Sequence, residues 1–198
     1  LSSVLGNAGA GAETLIIDTT GVANIAGAVG AGGNALDQLT VTQSGGTTFA
    51  STVDAKQITL TDSAAAATVA FQGNTNASTG LTVGAGTAAY NVSLTGASNT
   101  IAGTTTFANM GTLALGDGGD TLAFTGGVVA TAPSGISVNG TVTAAGVGVI
   151  TLGDADTGVS VGGNTTVGGT GTGAITLGAA TLGDGVGLTV GTGINNAI

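Results

Sequence analysis

Along most of this chain, branched aliphatic residues stand two apart with a hydroxyl-bearing residue between them. Leu39-Thr40-Val41-Thr42, Ile58-Thr59-Leu60-Thr61, Leu81-Thr82-Val83, Ile136-Ser137-Val138 and Ile150-Thr151-Leu152 all follow this rule, and Thr141-Val142-Thr143 keeps the same alternation about a single Val. Successive side chains of a strand point to opposite faces, so each word predicts a short strand with one apolar and one hydroxylic face. Similar segments stand at Thr14-Leu15-Ile16-Ile17, Thr47-Thr48-Phe49-Ala50, Thr68-Val69-Ala70-Phe71 and Asn91-Val92-Ser93-Leu94. Residues 22–33 alternate Ala, Gly and single branched residues and read as a weak strand. Residues 64–67 are all Ala, but four residues cannot nucleate a helix alone.

The words recur. Ile-Thr-Leu-Gly opens at Ile150 and again at Ile175, Thr-Leu-Gly-Asp at Thr151 and Thr181, and Leu-Thr-Val-Gly at Leu81 and Leu188. Gly46-Thr47-Thr48-Phe49-Ala50 echoes Thr104-Thr105-Thr106-Phe107-Ala108, and Ala70-Phe71-Gln72-Gly73 echoes Ala123-Phe124-Thr125-Gly126. Restarts at Leu15, Leu39, Ile58, Leu81, Leu113, Ile136, Ile150 and Ile175 are mostly 19 to 25 residues apart. That interval fits one coil of a stacked β architecture. The pattern predicts an all-β fold, a parallel β-solenoid (β-helix) of about eight or nine irregular coils at ~4.8 Å per coil. Residues 1–13 read as a lead-in or cap and 14–198 as a single rod.

The rival is an antiparallel β-sandwich, which prefers paired hairpins at shorter spacing. Asn139-Gly140, between Ile136-Ser137-Val138 and Thr141-Val142-Thr143, has the composition of a hairpin turn, and one hairpin is expected there. The final residues, LTVGTGINNAI, offer no charged cap. A solenoid end without a cap predicts cover by more of the same chain or by a second copy stacked head to tail. Leu1 in place of Met points to a processed product or a piece of a longer chain.

Composition sharpens this picture. Gly supplies 40 of 198 residues and aromatics only 3%, so small aliphatic side chains must fill the interior. Only 6% of residues are charged and mean hydropathy is positive, which argues against disorder. Ten acidic residues face one basic residue, Lys56, with no Arg and no His. Nucleic-acid binding is excluded, because nothing is present to neutralise phosphates. Anionic membranes are excluded for the same reason, and no apolar run is long enough for a transmembrane helix. Cysteine is absent, so there are neither disulfides nor thiolate metal sites. Lys56 reads as a solvated turn residue.

These words resemble the repetitive surface proteins of bacteria: filamentous-haemagglutinin-type and autotransporter-passenger β-solenoids, often described as β-strand repeat proteins. The likeness rests on residues 46–50, 58–62, 132–142 and 150–154 and extends from about Glu13 onward. It implies export to the bacterial cell surface, a rod-like shape, and a structural or adhesive role in a coat, filament or adhesin. It also implies contact with surface glycans or neighbouring cells, and it supplies no catalytic residues.

Calcium is the cofactor the sequence suggests. Residues 32–40 (GGNALDQLT), with Asp37, and residues 116–122 (GDGGDTL), with Asp117 and Asp120, are similar to the nonapeptide calcium turn GGxGxDxUx, each with a Gly missing. Asp154 and Asp156 offer another oxygen pair. Asp in turns also bonds its own backbone with no metal involved. Catalysis is not expected: without His, Cys or Arg no nucleophile–base set assembles, and Asp117/Asp120 and Asp154/Asp156 are the only close carboxylate pairs. The functional alternative is ice binding through Thr-x-Thr words at Thr40/Thr42, Thr59/Thr61, Thr104/Thr106 and Thr141/Thr143. Thr also suits any exposed strand. Four Asn-x-Ser/Thr sequons, at Asn76, Asn91, Asn139 and Asn164, carry little weight in so Asn- and Thr-rich a chain.

Overall fold

Every ladder among the described residues is parallel and joins strands one coil apart. The computed structural model describes residues 1–7, 12–64 and 66–191, and among these there is no helix. The chain is a parallel β-solenoid of about eight turns. The antiparallel sandwich is ruled out, and so is the hairpin expected at Asn139-Gly140. Those two residues lie inside the strand Gly135–Ala144, where Gly140 adopts φ 145° and turns the chain onward without reversing it.

Each coil presents three faces. The first carries an inward column of Leu15, Leu39, Ile58 and Leu81, continued by Thr105, Val128, Ile150 and Ile175. The second carries Ile25, Phe49, Phe71, Leu94, Leu115, Val138, Val161 and Leu182. The third carries Val4, Val29, Val53 and Thr75, then Asn99, Leu122, Val142, Val167 and Val190. Because one strand side always turns inward, the alternation in the sequence becomes an aliphatic interior and a hydroxylic exterior. Coil length varies from 19 residues, Leu39 to Ile58, to 25, Ile150 to Ile175; the slack is taken up in the corners.

The interior is less purely aliphatic than the composition suggests. All five aromatic residues are buried. Phe49 and Phe71 stack along the axis with ring centroids 4.8 Å apart. Phe107 and Phe124 meet edge to face at 6.0 Å from different faces of the tube. Thr75 and Asn99 interrupt the third face with buried polar groups, and each finds a partner: the Thr75 hydroxyl donates to the Gly73 carbonyl at 3.4 Å. The Asn99 side-chain oxygen accepts the Thr75 N–H at 3.1 Å, and its amide donates to the Gly96 carbonyl at 2.6 Å. A buried polar pair closed in this way avoids the cost of an unpaired group.

Corner asparagines stitch successive coils. The side-chain oxygens of Asn74, Asn91 and Asn164 accept the backbone N–H groups of Ser98, Thr112 and Gly187 at 3.0, 2.8 and 2.8 Å. Some corners also demand glycine on steric grounds: a Cβ at Gly111 would run into the Tyr90 carbonyl, and one at Gly126 into the backbone of Gly103.

The recurring words mark one face and its following corner rather than one coil. Ile150 and Ile175 do pair in register on the first face. Leu81 stands on the first face while Leu188, which opens the same word, stands on the third. Phe49 belongs to the second face and its counterpart Phe107 to the first, beside Val83. The restarts at Leu113 and Ile136 fall on the second face, and the first face of those coils begins at Thr105 and Val128. Residues 192–198, on which the expectation of an uncapped end partly rested, lie outside the described residues.

Candidate functional site

The outward column of the first face is the most regular exposed array. It runs Ile16, Thr40, Thr59, Thr82, Thr106, Val129, Thr151, Thr176. Six threonines therefore share one line at the ladder spacing of ~4.8 Å. A second rank beside it does not form: Thr42 and Thr61 are followed by Gly84, and on the other side stand Gln38, Gln57 and Gly80. The Gln38 and Gln57 amides donate to the hydroxyls of Thr40 and Thr82, both at 3.1 Å. Of the four Thr-x-Thr words, three lie on this face, and Thr141/Thr143 lies on the third.

The candidate calcium carboxylates stand at separate corners. Asp37 accepts the Lys56 ammonium at 3.0 Å, so Lys56 is a cross-coil partner. It sits inside the strand Val53–Leu60, at a bulge between Ala55 and Gln57, rather than in a turn. Asp120 is buried and accepts the Asp117 N–H at 2.7 Å. The Asp117 carbonyl in turn accepts the Asn139 amide at 2.9 Å. Asp154 accepts the N–H groups of Asp156 and Thr157 at 3.0 and 2.9 Å, closing its own turn. Asp117 and Asp120 share one corner, Asp154 and Asp156 another, and Asp37 a third. No group of three or more His, Cys, Asp or Glu side chains placed to hold a metal occurs among the described residues.

The most strongly perturbed carboxylate is Asp62, which the sequence did not single out. It accepts the Thr87 hydroxyl at 2.6 Å and the N–H groups of Thr87, Ala88 and Ser63 at 2.9, 3.2 and 2.8 Å. The Thr87 hydroxyl leads in holding its pKa down at about 2. This clamp fixes the long corner of the next coil, where the Tyr90 hydroxyl donates to the Gly84 carbonyl at 2.6 Å. Burial, helped by the nearby Asp62 charge, pushes the Tyr90 phenol above its ordinary range. In the sequence Asp62 reads only as the end of a strand word, because its Thr87 and Ala88 donors stand 25 and 26 residues further on.

A shallow groove of about 450 Å3 runs along the second face, lined by Thr112, Gly135, Ser137, Gly158, Ser160, Ala179 and Thr181 among others. The signal for it is a Gly recurring 23 residues apart, at Gly135 and Gly158, which means nothing until the register is known.

Taken together, the fold and its surfaces define a β-repeat solenoid. No family model, no curated protein and no solved structure matches the chain.

Proposed function

We propose that this chain is a non-catalytic structural or adhesive module of a bacterial cell-surface coat, filament or adhesin. The observation that carries the reading is the stacking of the coils in register on all three faces over a filled interior, the first face passing from Leu81–Val83 to Thr105–Phe107 through the single bridge of Val83 to Phe107. Such a tube is a spacer whose stiffness comes from repetition. Among the described residues, Thr14–Asp18 at one end and Ile175–Leu177, Ala180–Leu182 and Leu188–Val190 at the other have a ladder partner on one side only. An edge of this kind is a template for another strand. The proposal therefore includes extension of the rod by further coils, from a longer chain or from a second copy stacked head to tail, an arrangement that does not close on itself. Electron microscopy of the purified protein tests it: rods or filaments are expected, whereas compact isolated particles at all concentrations would refute the assembly.

A second reading, ice binding, is favoured by one specific observation, the line of six threonines on the first face. Its threonine methyls and hydroxyls offer ordered water a repeat of ~4.8 Å. The reading predicts measurable thermal hysteresis that falls when Thr59 and Thr82 are changed to Lys; hysteresis indistinguishable from that of a control protein removes it.

A further inference from the structure

The second face changes character over its last four coils. Its leading outward positions are Thr112, Gly135, Gly158 and Ala179, so two of the four carry no side chain and a third only a methyl. A trough opens there, the groove of about 450 Å3. Along one side stand the exposed hydroxyls of Ser137, Ser160 and Thr181, and most of its lining is carbon. Four coils at ~4.8 Å make it ~14 Å long, the length of about four residues of extended polypeptide.

The charges around the trough have a single sign. From Thr112 to Gly191 the chain has five Asp and no Lys, Arg or Glu. All five flank this face. Asp154 and Asp156 occupy the corner that enters it, between the strands Ile150–Leu152 and Val159–Val161. Asp117 and Asp120 occupy the corner that leaves it, and Asp184 follows the strand Ala180–Leu182. Asp117, Asp154, Asp156 and Asp184 are exposed. A strand face about three residues across is ~10 Å wide, comparable with the Debye length at physiological salt, so both rims act on whatever lies in the trough.

We propose that this groove docks an extended polypeptide segment of another protein, with Lys or Arg alternating with small aliphatic residues. The aliphatic side chains occupy the space above Gly135 and Gly158, and the cations reach the exposed carboxylates of Asp117 and Asp156 at the two corners. A second copy of this chain is a poor occupant, because its single cation is Lys56, already paired with Asp37. A sugar strand lacks the aromatic platform that would hold its rings, since no aromatic side chain lines the groove. The proposal does not depend on the rod assembling.

The test is fluorescence anisotropy of the full chain with a labelled octapeptide of alternating Lys and Val. The same peptide with Glu for Lys is the control, and a glucosamine oligomer the competing ligand. Gly135→Val fills the trough at a position where an added Cβ meets nothing within 4 Å. Ser160→Lys places a cation on its border, as a second variant independent of the glycine backbone. We expect saturable binding of the basic peptide alone, weakened at least about tenfold by either variant. Asp156→Asn with Asp184→Asn weakens it about three- to tenfold, as does raising salt from about 50 to about 500 mM. Equal binding of basic and acidic peptides overturns the proposal. So does binding that Gly135→Val and Ser160→Lys leave unchanged in proteins with native circular dichroism. Saturable binding of the glucosamine oligomer alone overturns the choice of a polypeptide.

Discussion

Replacing Phe71 with Ala tests the register on which the whole architecture rests. Phe71 is fully buried on the second face and stacks on Phe49 of the preceding coil at 4.8 Å. Removing a buried ring costs about 3–5 kcal/mol, made up of lost transfer free energy and the cavity left behind. Phe49→Ala belongs to the same range. The two rings share one contact and the two deletions one cavity, so the double variant should lose less than the sum, by about 0.5–1.5 kcal/mol. Thr48 is the control: it sits beside Phe49 in the same strand and turns outward, and Thr48→Ala should fall within about 0.5 kcal/mol of the native protein. Urea unfolding followed by circular dichroism at the strand band reads all four. A slip of one residue in register exchanges the faces of a strand. If Thr48→Ala costs as much as Phe71→Ala, or if the two phenylalanines prove strictly additive, the stacking described here is wrong.

Three further outcomes follow from particular residues. Asp62 has a folded pKa of about 2 against an ordinary 3.8, so the unfolded chain takes up its proton first. The stabilisation is therefore complete above the ordinary value and is lost as pH falls through about 2; the melting temperature of Asp62→Asn should vary less with pH over that window than the native one does. Gly111→Ala should destabilise by more than about 1 kcal/mol, because its Cβ would meet the Tyr90 carbonyl, while Gly135→Ala, with open space, should be near neutral in the same urea titration. Adding millimolar calcium, or removing it with a chelator, should move the melting temperature by less than about 1 °C, since the carboxylates of Asp37, Asp120 and Asp154 are already held by protein donors; a rise of several degrees on adding calcium would instead place the ion at one of the Asp turns.

The parallel solenoid is legible in the sequence because alternation is a local property: a word such as Ile58-Thr59-Leu60 states which side is apolar without reference to any other coil. The interval between coils is legible for the same reason where first-face words are strong, at Leu15, Leu39, Ile58 and Leu81. It fails at Thr105 and Val128, where the first face opens with a buried Thr and then with Val128-Val129-Ala130, a run with no alternation. The number of faces is not legible, since all three use one vocabulary, and identical words fall on different faces. Surface sites suffer most. The Thr59–Thr82 neighbourhood, the Asp62 clamp and the Gly135–Gly158 trough each join residues 23 to 25 apart, and a corner one residue longer or shorter relocates every one of them.

The ladders also fix how this rod responds to force. The ladder hydrogen bonds between coils run along its axis, whereas the covalent chain passes from one coil to the next only once per turn. Pulling the ends apart therefore loads the coil junctions in series, and the weakest opens first. A coil of about 23 residues occupies ~4.8 Å of rod while folded and as much as ~80 Å once drawn out. Each rupture would lengthen the tether more than fifteenfold over that segment and leave its neighbours ready to take the coil back. A stack of coils bonded along its axis would, under tension, unwind one turn at a time.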